Sequence, residues 1–313
     1  MSARTAAAPA QAAHWTPEDL GDLTGRTALI TGGNGGIGLE TARVLARHHA
    51  RVILAGRDQR KLDEAAAGLR AAQPDALLGT AVADLGSLES IAAAASRLAE
   101  SEAIDLLFNN AGVMDVPERR TTADGFELTF GTNHLGHFAL TAGLMPALRR
   151  SPAARIVTVS AIAASWRRGR LEDLMSERRY RGMSAYAKSK RANVVFTQEL
   201  ARRLPGTGIT AVAVHPGSAV TNLQRHSQGP LSRIVIAVTR NVAMGSPEGA
   251  AWPSLYAATS PDVVNGGFYG PAGRDQTSGT PKRVPLPRGA GDPAEGARLW
   301  AESERLTGIR FAI

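Results

Sequence analysis

Short β-branched runs alternate along the chain with longer Ala- and Leu-rich stretches of helical period. The runs at 27–31, 52–55, 78–82, 104–108, 155–160, 209–215 and 267–269 predict strands. Between and after them, 36–49, 59–72, 87–101, 126–149, 184–204, 247–259 and 293–306 predict helices. Strands separated by helices of this length imply βαβ crossovers and a parallel sheet. Such strands are covered on both faces and read as nearly unbroken apolar runs. "RVILAG" and "ITAVAVH" fit that expectation. The pattern predicts an α/β fold, a doubly wound parallel sheet with helices on both faces.

No solenoid-type repeat and no dividing linker interrupts the order, so one domain is expected over 19–313. Residues 1–18 read as a disordered tail without the continuous apolar core of a secretory signal. The Pro- and Gly-rich stretch 270–293 reads as an irregular surface excursion. With 313 residues and 43% apolar content the chain can bury one large core. Its runs are too short to predict stable membrane insertion. The absence of cysteine excludes disulfides, thiol catalysis and Cys-bound metal, and suits a cytoplasmic location.

The net charge of +8 raises the question of nucleic acid. Only four of the 36 basic residues are Lys, and the arginines are scattered among Ala, Gly and Pro. The one cluster, Arg167 to Arg181, is interleaved with Glu172, Asp173 and Glu177. A solvated loop is expected there, and no nucleic-acid partner.

Chemistry enters with two motifs. Thr31-Gly32-Gly33-Asn34-Gly35-Gly36-Ile37-Gly38 follows the first strand and opens a helix. Glycines there let the backbone approach a pyrophosphate, and the helix offers free N–H groups and its positive end. The second motif is Tyr186-Ala187-Lys188-Ser189-Lys190. Tyr186 and Lys190 are four residues apart and share a helix face. A phenol titrates near ~10, and a neighbouring cation favours its phenolate. At the end of strand two, Gly56 stands where an NAD-type site would carry an acid, with Arg57 next to it. A small neutral residue beside a guanidinium suits a 2′-phosphate. NADP(H) is therefore expected over NAD(H). Asp58 is the competing residue, since a two-position shift would restore an acid.

These motifs resemble the short-chain dehydrogenase/reductase family over about residues 22–310. The resemblance rests on TGxxxGxG at Thr31, Gly32, Gly36 and Gly38, on Asp84, and on NNAG at Asn109 to Gly112. Further along, Asn133, Ser160, YxxxK and a PG turn with a downstream Thr (Pro216, Gly217, Thr221) continue it. "FGTNHLGHFALT" and "VHPGSAVTNL" are similar to the retinol-dehydrogenase-like branch. The family implies a Rossmann-type sheet. Family members that prefer NADP often carry a basic residue where this chain has Gly35, so the 2′-phosphate contact would rest mainly on Arg57.

The resemblance implies four catalytic residues. Tyr186 would exchange a proton with the substrate oxygen, and Lys190 would lower its pKa and bind the nicotinamide ribose. Ser160 would hydrogen-bond the substrate oxygen, and Asn133 would hold a water and a main-chain group. It also implies cofactor contacts from Thr31, Gly32, Asn34, Gly35, Gly36, Ile37, Gly38 and Arg57. Asp84, Leu85, Asn110, Ala111 and Gly112 would lie by the adenosine, with Tyr186 and Lys190 by the nicotinamide ribose. Pro216, Gly217, Ala219, Val220 and Thr221 would meet the nicotinamide end.

Lys188 points away from Tyr186 on the helix and reads as a surface charge. His134 and His137 have metal-like spacing but no third ligand, and no metal is expected. Segments 161–184 and 222–246 would wall the substrate, the second as a lid with an apolar run. An apolar or extended alcohol or ketone fits such a wall. Two alternatives stay open: the same scaffold using its cofactor without net redox, and a cofactor-binding protein without turnover. A homo-oligomer, dimer or tetramer, is expected through the helices at 126–149 and 184–204.

Overall fold

The computed structural model describes residues 15–166, 171–217 and 247–313. Eight strands form one sheet: β1 (Thr27–Thr31), β2 (Arg51–Gly56), β3 (Leu78–Val82), β4 (Leu106–Asn109), β5 (Arg155–Val159), β6 (Thr210–Val214), β7 (Phe268–Pro271) and β8 (Pro281–Arg283). Their spatial order is 3-2-1-4-5-6-7-8. All pairs are parallel except β7 with β8. The order reverses between β1 and β4, so a crevice opens there beyond the carboxyl ends of the strands. The central strands β1, β5 and β6 are almost wholly buried, whereas β3 lies at an edge and is partly exposed throughout.

The helices are α1 (Gly36–Arg47), α2 (Gln59–Ala72), α3 (Leu88–Ser101), α4 (Leu128–Phe130), α5 (Gly136–Arg149), α6 (Gly182–Arg203), α7 (Pro247–Thr259) and α8 (Pro293–Thr307). Two large cores lie on the two faces of the sheet. One joins α3, α5, α6 and α8 around Leu107, Ile156 and Phe196. The other joins α1, α2 and α7 around Ile30, Val157 and Val212. Successive strand residues such as Ile156 and Val157 therefore enter different cores, as the pleat requires.

The structure departs from the expected elements in three places. The helix expected over 126–149 is broken by a π-helical turn, Gly131–Leu135, between α4 and α5. Strand β8 is a short addition within the expected excursion. Of the expected tail, residues 15–18 belong to the body. Trp15 is buried and meets Tyr256 edge to face with ring centroids 5.4 Å apart.

The face of α5 and α6 expected to meet a partner is covered from within. Trp300 of α8 stacks on Phe196 at 5.9 Å and an interplanar angle of 22°. Phe311 meets Phe138 at 5.3 Å, and the Arg203 guanidinium lies 4.3 Å over the Trp300 ring. Leu140, Leu144, Met145, Leu148, Val194, Val195 and Leu200 are all buried inside the one chain. Among the described residues, no helix is long and apolar enough to cross a membrane.

Candidate active site

The turn after β1 is held by close packing that only glycine permits. A Cβ on Gly38 would lie 2.4 Å from the Gly32 carbonyl oxygen, so α1 can reach the turn only without a side chain there. Gly32 has φ +67° and Gly36 φ +53°, left-handed values that favour glycine. Asn110, just after β4, donates from its side-chain amide to the Thr31 carbonyl at 2.8 Å. Ala111 packs under Gly32, so the β1 and β4 turns meet as one cradle at the point where the strand order reverses. Ile37 and Gly38 sit in the first turn of α1, whose N-terminus Gly35 leads in as extended backbone. This cradle fits a dinucleotide, whose pyrophosphate would sit on the α1 N-terminus.

At the end of β2, an added Cβ on Gly56 would lie 3.4 Å from Asn34 Oδ1, so Asn34 faces the site from the glycine turn. Arg57 is exposed and forms no ion pair among the described residues. Asp58 caps α2, accepting from the Lys61 backbone N–H at 3.2 Å. That cap already employs the only acid close to Gly56 in sequence. Asp84 Oδ1 accepts from Gly86 N–H at 2.9 Å and shapes the turn after β3. Leu85 is buried against Gly136, where any Cβ would meet the Leu85 carbonyl.

Asn133 lies within the π-helical turn, in which Gly136 N–H bonds back to the Gly131 carbonyl. Such turns are concentrated at functional sites. The Asn133 side chain accepts from Val113 N–H at 2.7 Å and donates to the Val113 carbonyl at 2.9 Å. It also donates to Ser189 Oγ on α6 at 2.9 Å. The main-chain group expected for Asn133 is thus Val113. Tyr186 and Lys190 follow on α6, both buried, with the Lys190 ammonium 5.9 Å from the Tyr186 ring centroid. Lys190 donates to the Val159 carbonyl at 2.9 Å. A Cβ added to Gly112 would be 3.5 Å from Lys190 Nζ and 3.0 Å from Asn133 Oδ1, so the β4 turn, the π turn and α6 converge.

Burial raises the Tyr186 phenol above its ordinary value of 10.0 and pulls Lys190 down to about 8. The expected lowering of the phenol by Lys190 is therefore not produced by these two residues alone. At 5.9 Å, with the ammonium hydrogen-bonded to Val159, desolvation outweighs the attraction. Ser160 stands at the carboxyl end of β5 as expected, but it is buried and its hydroxyl donates to the main-chain oxygen of Lys190 at 2.7 Å.

The model of the short chain dehydrogenase family matches residues 26–230. The chain belongs to this family. Among its relatives, mouse retinol dehydrogenase 14 is 41% identical over 305 residues, 93% of this chain and 88% of the relative. Human retinol dehydrogenase 13 is 40% identical over 294 residues, covering 92% and 86%. Among solved structures, an uncharacterized protein from Mycobacterium paratuberculosis is 39% identical with a TM-score of 0.77, covering 96% of this chain and all of the other. The RhlG/NADP active-site complex of Pseudomonas aeruginosa is 28% identical with a TM-score of 0.64, covering 79% and 94%. This short-chain dehydrogenase is thus an oxidoreductase acting on CH–OH groups with NAD(P), of the retinol-dehydrogenase-like branch.

Three residues of this dehydrogenase have roles that sequence reasoning missed. Lys188 is not a surface charge. It is buried, and its ammonium donates to Ser176 Oγ at 3.0 Å and to the Asp173 carbonyl, anchoring the 171–181 loop to α6. Periodicity places it away from Tyr186 but cannot say that a loop folds over it.

Thr31 and His137 form a hub. His137 Nδ1 bonds the Asn133 carbonyl at 2.9 Å, which can only accept, so Nδ1 carries the proton. The ring is neutral, its pKa pulled down to about 3 chiefly by burial. Its unprotonated Nε2 lies 2.9 Å from Thr31 Oγ1, whose single proton can go to that nitrogen or to the Phe108 carbonyl at 3.1 Å. The same oxygen accepts from Asn110 and Ala111 N–H groups at 2.8 and 3.0 Å. The two histidines of "NHLGHF" face separate partners, since His134 Nε2 meets Ser303 Oγ on α8 at 3.0 Å. Their spacing reflects two buried hydrogen bonds.

Of the remaining expected contacts, Pro216 and Gly217 are described, and Gly217 (φ +77°) closes against the Thr277 carbonyl. Ala219, Val220 and Thr221, the lid at 222–246 and the loop residues 167–170 lie outside the described residues.

Proposed function

We propose that this enzyme interconverts an apolar or extended alcohol with its aldehyde or ketone, preferring NADP(H), with Tyr186 as the proton donor and acceptor. The observation that carries this reading is the convergence of Tyr186, Lys190, Asn133 and Gly112 beyond the strand ends at the dinucleotide cradle. When bound, the nicotinamide supplies the hydride. Tyr186, kept protonated by burial, is suited to give its proton to a carbonyl oxygen. Lys190 favours the phenolate left behind and returns it a proton. Asn133 fixes Val113 and, through Ser189, the helix that carries both.

The substrate class draws on the relatives' names and on a cavity of about 320 Å³. Ile162, Phe268, Pro285, Leu286 and Pro287 line it together with the polar Ser165, His215, Gln276 and Arg288, at the carboxyl ends of β5 and β6. Mixing the enzyme with all-trans-retinal and NADPH tests the reading. One nicotinamide should be oxidised per aldehyde reduced. Conversion of substrate without a stoichiometric absorbance change would point to chemistry without net redox.

The preference for NADP(H) draws on Gly56, the exposed Arg57 and the commitment of Asp58 to its helix cap. Arg57→Ala is expected to weaken NADPH by roughly 1.5–3 kcal/mol, the worth of charged hydrogen bonds. NADH binding should change little. Equal losses for both cofactors in fluorescence titrations would overturn the assignment.

Among the described residues, the apolar side chains of α5 and α6 expected to pair are buried within the chain, with α8 packed on Phe196. A monomer is the proposed state. Light scattering at micromolar concentration should give a mass near 32.8 kDa; twice that value would require a partner surface elsewhere.

A further inference from the structure

The resemblance assigns the second donor to the substrate oxygen to Ser160, yet the geometry of this chain does not leave that donor available. A hydroxyl has one proton to give. In Ser160 it goes to the Lys190 carbonyl at 2.7 Å, on a side chain only 1% exposed. Its backbone N–H is taken by the Val214 carbonyl at 2.6 Å, which fixes Ser160 as the continuation of β5. Ala161 follows in extended conformation, φ −156° and ψ 163°. Consecutive side chains of an extended chain point to opposite sides. Accordingly Ser160 turns into α6, while the partly exposed Ala161 packs on the cluster of Tyr186, Ala163 and Ala187, beside Met114 and Met183.

We infer that Ser160 is a positioning residue tying β5 to α6 at Lys190, and that a methyl group, Ala161, occupies the place beside Tyr186 from which a second hydroxyl would hold the substrate oxygen. The inference rests on Tyr186 being the proton donor. Ser160 Oγ to the Lys190 carbonyl and Lys190 Nζ to the Val159 carbonyl form two parallel ties between the same strand end and the same helix residue. They set the height of Lys190 relative to Tyr186. A substrate oxygen that gains negative charge would meet the Tyr186 hydroxyl on one side and an apolar wall of Ala161, Met114 and Met183 on the other. Such a wall suits an apolar carbonyl compound and leaves transition-state stabilisation below what two donors provide.

The test uses the full-length chain with NADPH and all-trans-retinal. Ala161→Ser places a hydroxyl on the Tyr186 side. Because the charge develops only in the transition state, the gain should appear in kcat and not in KM. One added donor is expected to raise kcat by about tenfold or more, a fraction of the hundredfold or greater loss typical when an evolved donor is removed. Ser160→Ala should lower the thermal midpoint and kcat together, with kcat falling less than about tenfold, and Ser160→Thr should recover both. The inference is overturned if Ser160→Ala loses a hundredfold or more in kcat at an unchanged midpoint, or if Ala161→Ser gives no gain. Tyr186→Phe in the same assay separates the two readings. Turnover retained there overturns the tyrosine assignment itself; turnover lost there, with no gain in Ala161→Ser, overturns only the inference about residue 161.

Discussion

Tyr186→Phe is expected to abolish measurable turnover while leaving the affinity for NADPH nearly unchanged. The substitution removes one oxygen from a side chain that packs with Ala163 and Ala187, so the ring can stay in place. What disappears is the proton donor, and positioned acid catalysis contributes about a hundredfold to ten-thousandfold. The effect should sit near the upper end, because Ser160 directs its proton into α6 and the side chains clustered with the ring among the described residues are apolar. Lys190→Ala should differ in kind. It removes the tie to Val159 and, with it, the group proposed to hold the nicotinamide ribose, so both turnover and cofactor affinity should fall. Single-turnover kinetics with prebound NADPH isolates the chemical step. A Tyr186→Phe enzyme keeping a tenth of the wild-type rate, with chemistry limiting, would show that the tyrosine is not the acid.

The second large effect is on stability. Three histidines are buried and held neutral: His134 and His215 with pKa values pulled down to about 4, and His137 to about 3. In each case burial is the main cause. Their ordinary value is 6.5. As pH falls below that, the unfolded chain takes up protons that the folded chain refuses, so folding stability is lost. It is complete above pH 6.5 and declines progressively as pH approaches the folded-state values. At pH 5.5 each histidine should cost about 1–2 kcal/mol, close to 4 kcal/mol for the three. Carboxylates are still ionised at that pH, and Lys190, pulled down to about 8, adds only a small further loss at the upper end, so the imidazoles dominate the window. Urea unfolding at pH 8 and pH 5.5 measures the loss. An unchanged midpoint would show that the three rings are not buried in neutral form.

Acidification should therefore disturb the site before it disturbs the sheet edge. His137 joins the Asn133 carbonyl to Thr31 and through it to the NNAG backbone. Protonating its Nε2 would set a donor against a hydroxyl oxygen that already accepts the Asn110 and Ala111 N–H groups. The link between the π-helical turn and the cofactor cradle is the contact at risk.

The sequence by itself determined the sheet, the glycine turn and the placing of Tyr186 beside Lys190 on one helix. Short β-branched and unbroken apolar runs placed seven of the eight strands within about two residues, because burial on both faces leaves little choice of residue. The glycine turn was legible because Gly32, Gly36 and Gly38 have no substitute where backbone meets backbone or φ turns positive. Tyr186 and Lys190 were legible because four residues on a helix always share a face. The tertiary structure decided what depends on distant chain segments. The π-helical turn at Asn133 arises where Gly131 and Gly136 pack against Thr122 and Leu85, contacts invisible to a local period. Lys188 became an interior anchor only because the 171–181 loop folds back over α6. The face of α5 and α6 was closed by α8, which is more than ninety residues further along the chain than Phe196. The direction of the Ser160 hydroxyl also followed from tertiary contact. Sequence can supply a hydroxyl at a strand end, but the carbonyl packed against it, here that of Lys190, decides where its single proton goes.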